Sequence, residues 1–95
     1  MADAAAKLGP MSEEAARALA ALADPTRRAI FEAIRGAPAS VKDISIGLVI
    51  SSSSVSQHLK VLRKAGLVTG MAIGIRHIYK VDQHGLGPLR SWLGE

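Results

Sequence analysis

The sequence predicts a mainly helical domain with one small β-hairpin, an α+β chain in the order α-α-α-α-β-β-α. Apolar residues recur at helical spacing in five separate stretches. Each stretch is preceded by a serine or aspartate suited to cap a helix. Only residues 67–81 break the pattern, with two runs of β-forming residues around a glycine.

The opening "MADAAAKLGP" is alanine-rich and ends in Gly-Pro, so residues 1–11 are expected to form a flexible or partly helical arm. Ser12 stands as an N-cap, with Glu13 and Glu14 at the positive end of the helix dipole. Ala15, Ala18, Leu19 and Leu22 then make one apolar stripe of a short helix ending near Ala23. Asp24-Pro25 starts a second helix, because aspartate caps and proline at the first helical position has no N–H to leave unpaired. Ile30, Phe31 and Ile34 give its buried face. Gly36 stands where a helix end favours a left-handed residue, and Pro38 forbids continuation.

Ser40 and Asp43 have the spacing of a capping box and open a helix of about two turns through Val41, Ile44 and Leu48. After a turn near Val49 to Ser51, a further helix should run from about Ser52 to Ala65 and stop at Gly66. "LVTGMA" and "RHIYKV" read as strands joined by a hairpin around Ile73-Gly74. Leu86, Leu89 and Leu93, with Trp92 beside them, place a last helix over residues 83–93. No repeat or low-complexity linker divides the chain, so residues 1–95 are expected to be a single domain.

A chain of 95 residues leaves little room for an internal cavity of substrate size, and a second subunit would help it bury surface. It contains no cysteine, which excludes disulfides, thiolate metal sites and cysteine redox sensing. The N-terminus has no basic segment followed by a long apolar one, and no apolar run is long enough for a membrane span; a cytoplasmic protein without a membrane partner is expected. The net charge of +4 is concentrated. Residues 1–43 carry six basic and six acidic side chains, whereas residues 44–81 carry Lys60, Arg63, Lys64, Arg76 and Lys80 with no acid. Such a patch is the footprint expected for a polyanion partner.

On a helical wheel, Val55, Leu59 and Leu62 fall together, while Ser53, Ser56, Gln57, Lys60 and Lys64 share the opposite side. Two short helices joined by a tight turn, the second polar outside and basic toward its end, and then a hairpin, are the parts of a winged helix-turn-helix. The second of these helices is expected to lie in the major groove of double-stranded DNA. Ser52, Ser53, Ser54 and Ser56 would meet base edges, Gln57 would pair bidentately with adenine, and Lys60 and Lys64 would attract phosphates. His58 lies toward the edge of the buried stripe, either as a hydrogen-bonded structural histidine or as a phosphate contact. Arg27 and Arg28 read as surface charges in preference to phosphate contacts from the scaffold.

Three segments, "LADPTRRAIFEAI" at 22–34, "SVSQHLKVLRKAGLV" at 54–68 and "RHIYKVDQHGLGPLRSWL" at 76–93, make the chain resemble the ArsR/SmtB transcriptional repressors over most of its length. The resemblance implies a homodimeric repressor on a pseudo-palindromic operator, joined through its first and last helices. Ala15, Leu19 and Leu22 would then meet Leu86, Leu89, Trp92 and Leu93. It also implies that Ser52, Ser53, Ser56 and Gln57 face the major groove, and the wheel places three of those four outward. The wing departs from the family habit of a basic hairpin tip: "GMAIGIRH" offers only Arg76 and His77 to a phosphate or the minor groove, so a weaker wing contribution is expected. Ile73 and Ile75 would meet a partner or pack back on the domain.

Metal sensing is the family's best-known activity, yet "VKDISIGLV", the helix before the turn, supplies no sulfur ligand. Asp82 and His84 match half of the family's last-helix zinc site, and Glu95 stands eleven positions beyond His84. That set is incomplete for tetrahedral zinc, so no metal or other cofactor is expected and Asp82 reads as a helix cap. No nucleophile-elbow or phosphate-loop spacing is present, and an enzyme is not expected. The alternatives are a zinc-responsive repressor with a last-helix site at Asp82 and His84, and a protein-interaction module on the same scaffold, for which duplex binding would lack a steep salt dependence. The residues specify no inducer.

Overall fold

Hydroxyl and carboxylate side chains start four helices in the computed structural model, which describes residues 10–95. Ser12, Asp24, Ser40 and Ser51 each accept a hydrogen bond from the N–H three residues on, at 2.9–3.1 Å. The helices are α1 (Glu13–Ala23), α2 (Pro25–Gly36), α3 (Val41–Leu48), α4 (Ser52–Lys64) and α5 (Gly87–Leu93). Between them lie β1 (Ala39–Ser40), β2 (Val68–Ile73), β3 (Arg76–Val81) and a 3₁₀ turn at His84–Leu86. The expected N-terminal arm falls outside the described residues except for Pro10 and Met11, which have no regular structure.

The core is built from the stripes that the periodicity marks. Ile30 and Ile34 of α2, Ile44 of α3, and Val55, Leu59 and Leu62 of α4 are buried together with Leu67 and Val68. The three strands form one antiparallel sheet in the order β1-β3-β2, with Ser40 opposite Ile78 and Val68 opposite Val81. Gly74, at φ 63, takes the first central position of the two-residue wing turn, a place that type II′ hairpins reserve for glycine.

Four expectations need correction. Gly36 is not left-handed: it is the last residue of α2, and the chain leaves the helix at Ala37 (φ −164°, ψ 146°), because a residue before proline is driven out of the helical region. Two residues are too few to show alternation, so β1 was invisible to periodicity. The last helix is not continuous over 83–93; Pro88 lacks an N–H and its ring opposes the carbonyl four residues back, so His84–Leu86 stays 3₁₀ and α5 begins at Gly87. Arg27 and Arg28 are more than surface charges. Arg27 Nε donates to the Ala21 carbonyl at 2.8 Å and Arg28 Nη1 to the Leu22 carbonyl at 3.0 Å, closing the negative end of α1.

Two helix ends close alike with different residues. After α4, Gly66 (φ 78) donates to Arg63 and Leu67 donates to Leu62, the paired bonds of a Schellman motif. After α3, Val49 donates to Ile46 and Ile50 to Ser45, but here a β-branched residue stands at φ 56. The Ser45 hydroxyl bonds the Ile50 carbonyl and braces the same turn. Val49 is 88% exposed, so the strain is not offset by burial. Val49→Gly is expected to raise folding stability by about 0.5–1 kcal/mol, net of glycine's greater freedom when unfolded. Thermal melting checks this, and an unchanged or lower midpoint would contradict it.

Candidate nucleic-acid interface

The α3–turn–α4 unit presents its second helix outward. Val55, Leu59 and Leu62 anchor α4 in the core, which leaves Ser52, Ser53, Ser56, Gln57, Lys60 and Lys64 exposed along its other side. Ser51, rather than any predicted contact residue, provides the cap, accepting from the Ser54 N–H at 3.1 Å. Among the described residues no protein hydrogen bond engages the side chains of Ser52, Ser56, Gln57, Lys60 or Lys64; Ser53 shares its hydroxyl with Ser51 at 3.3 Å. Arg63 and Lys64 sit in the last turn, where cations suit the helix dipole. The resulting face carries small hydrogen-bonding groups in front and amines behind, with donors and acceptors left open to a ligand.

Two residues of the predicted set stand apart from this face. Ser54 and His58 are half-buried. The Asp24 carboxyl is held below the usual carboxylate range chiefly by the Arg27 N–H, with smaller help from the charges of Arg27 and, last, His58. His58 therefore lies within electrostatic reach of the cap of α2, and among the described residues no protein hydrogen bond engages its side chain.

The wing lies beside α4. An open groove of about 780 Å³ is lined by Ser40, Val41, Lys42 and Asp43 where α3 begins, Ser56 of α4, and Arg76, His77 and Tyr79 of β3. His77 is exposed. Arg76 is not free: its Nη2 lies 3.2 Å from Asp43 Oδ2 and 3.5 Å from Ser40 Oγ. Asp43 thus completes only half of a capping box, because its carboxylate turns to the wing instead of back to Ser40. No local pattern marks a partnership across 33 positions; the one clue is that Asp43 borders the acid-free segment. At the wing tip Ile73 is 58% exposed and Ile75 fully so, and neither packs back on the domain.

The surface predicted for self-association is smaller than expected. Ala15 is buried inside the protomer, where α1 packs on α2, α4 and α5, and has no surface to offer. Leu22 and Leu86 lie partly buried against the core. Leu89 is half-buried, whereas Leu19, Trp92 and Leu93 are exposed.

Asp82 does not cap the last helix, which has no side-chain cap; its carboxylate instead accepts the N–H of His84 at 3.0 Å and of Gly85 at 3.4 Å and braces the 3₁₀ turn. Among the described residues no three His, Asp or Glu side chains converge into a metal-binding group. No helix of the described residues is long and apolar enough to cross a membrane.

Residues 22–70 match the family described as a helix-turn-helix domain. The HTH-type transcriptional regulator Rv2034 of Mycobacterium tuberculosis is 47% identical over 75 residues, covering 79% of this chain and 70% of the relative. The HTH-type transcriptional repressor SmtB of the same species is 38% identical over 74 residues, which are 78% of this chain and 55% of that protein. Among solved structures, an ArsR-like transcriptional regulator from Rhodococcus sp. RHA1 superposes with a TM-score of 0.77 at 29% identity, covering 84% of this chain and 76% of the other. The outward α4, the wing beside it and these likenesses agree, and the chain belongs to the ArsR/SmtB family of winged helix-turn-helix, DNA-binding transcriptional regulators, not to a family of enzymes.

Proposed function

We propose that the protein is a cytoplasmic homodimeric repressor that occupies a pseudo-palindromic operator and blocks transcription sterically. The observation that carries the reading is the exposed face of α4, where Ser52, Ser53, Ser56 and Gln57 precede Lys60 and Lys64 with no protein partner for Gln57 or either lysine among the described residues. The major groove admits one helix, and residues in its N-terminal half reach base edges. In this reading Gln57 and the serines read bases. Lys60 and Lys64 neutralise phosphates, and Arg76 and His77 bring the wing to the flanking backbone. Two copies related by a two-fold axis, joined through the exposed apolar residues of α1 and α5, would place two such helices in successive major grooves.

Selection of duplexes from a random library, followed by affinities at two salt concentrations, tests the proposal. An enriched inverted repeat with a steep salt slope supports it; no enrichment by folded, dimeric protein overturns it. The residue roles separate by substitution. Gln57→Ala is expected to relax discrimination at one base position by about 1–3 kcal/mol, whereas Lys60→Ala weakens all sequences alike. Equal losses on selected and random duplex for both variants would contradict this division of roles.

A further inference from the structure

The ion pair between Asp43 and Arg76 lies in the groove that α4 shares with the wing. Both side chains are more than half exposed, 58% and 60%, and a pair so open to water adds little to folding. Its consequence is electrostatic. Arg76 is the one arginine of the wing, and beside Asp43 it contributes no net charge. Ser56, among the serines assigned to base contact, lines the same groove, so a duplex seated on α4 passes close to the pair.

We propose that Asp43 restrains Arg76 in the free protein, and that Arg76 leaves it for a backbone phosphate on docking; this positioning role rests on the DNA-binding reading above. The exchange is cheap because one exposed, charge-assisted contact of the guanidinium replaces another. It leaves the Asp43 carboxylate facing a polyanion, a penalty that applies whatever the base sequence. Asp43 therefore sets the protein's affinity for DNA in general and takes no part in reading bases.

The test compares the parent, Asp43→Asn, Arg76→Gln and the double variant, by fluorescence anisotropy on the selected operator and on random duplex across a salt series. Asp43→Asn keeps the backbone N–H that bonds Ser40 Oγ, so unchanged melting serves as its control. It is expected to tighten binding about three- to tenfold at low salt on both duplexes, with a salt slope steeper by about one. In the Arg76→Gln background the gain is expected to shrink, because no arginine remains to be released. Equal gains in the two backgrounds would show that Asp43 acts only as a static charge and would overturn the restraint. No gain in the parent background, with duplex binding intact, would overturn it as well. A parent chain that binds no duplex in a salt-dependent way would remove the DNA-binding reading and this proposal together.

Discussion

Gly85→Ala is expected to destabilise the fold by about 3 kcal/mol or more, at the upper end of what overpacking costs. A Cβ added at Gly85 would stand 1.4 Å from the carbonyl oxygen and 2.4 Å from the carbonyl carbon of Gly66. Both neighbours are backbone, so no side chain can rotate away. Gly66 is itself committed to φ 78 by the closure of α4, whose paired hydrogen bonds to Arg63 and Leu62 would have to yield for it to move. Gly85 is equally committed, since its N–H bonds the Asp82 carboxylate and carbonyl. For a domain near this size, thermal melting should register a fall of about 12–24 °C. A fall under a few degrees would mean that the 3₁₀ turn slides off α4 without loss, and that this junction is looser than its geometry.

The Gly66–Gly85 contact marks where sequence reading stops. Periodicity located each helix, because a buried stripe such as Val55, Leu59 and Leu62 repeats at helical spacing whatever it packs against. Caps were legible for a similar reason: Ser12, Asp24 and Ser40 bond an N–H only three residues away. The outward face of α4 followed from that local geometry, and Ser53, Ser56, Gln57, Lys60 and Lys64 are all exposed. What local pattern cannot carry is an interaction across the chain. Arg76 meets Asp43 from 33 residues away, and Gly85 meets Gly66 only once the hairpin has returned the chain to the end of α4. The left-handed Val49 had no signal for a different reason: a position that glycine or asparagine usually fills is held by valine, and its backbone state is imposed by the turn between α3 and α4.

Trp92→Arg is expected to separate the proposed homodimer and, through it, to lower operator affinity by about 10²- to 10⁴-fold, the advantage that two linked binding modules hold over one. Trp92 is 47% exposed, Leu93 59% and Leu19 40%, three large apolar side chains that the protomer leaves uncovered on α5 and α1. Large aromatic anchors of this kind dominate association energies, and replacing one with a cation sets like charges against each other wherever a two-fold axis brings the copies together. The sign of the new charge makes the result decisive. An added arginine by itself strengthens attraction to DNA, so a fall in affinity cannot be assigned to lost electrostatics. Trp92 lies outside the buried core, and the variant should keep its secondary structure while light scattering reports half the mass. Random-duplex binding, which gains little from matched half-sites, should change far less than operator binding. A variant that stays dimeric with parental affinity would assign the interface elsewhere, and the exposed residues of α5 would no longer account for two-fold recognition.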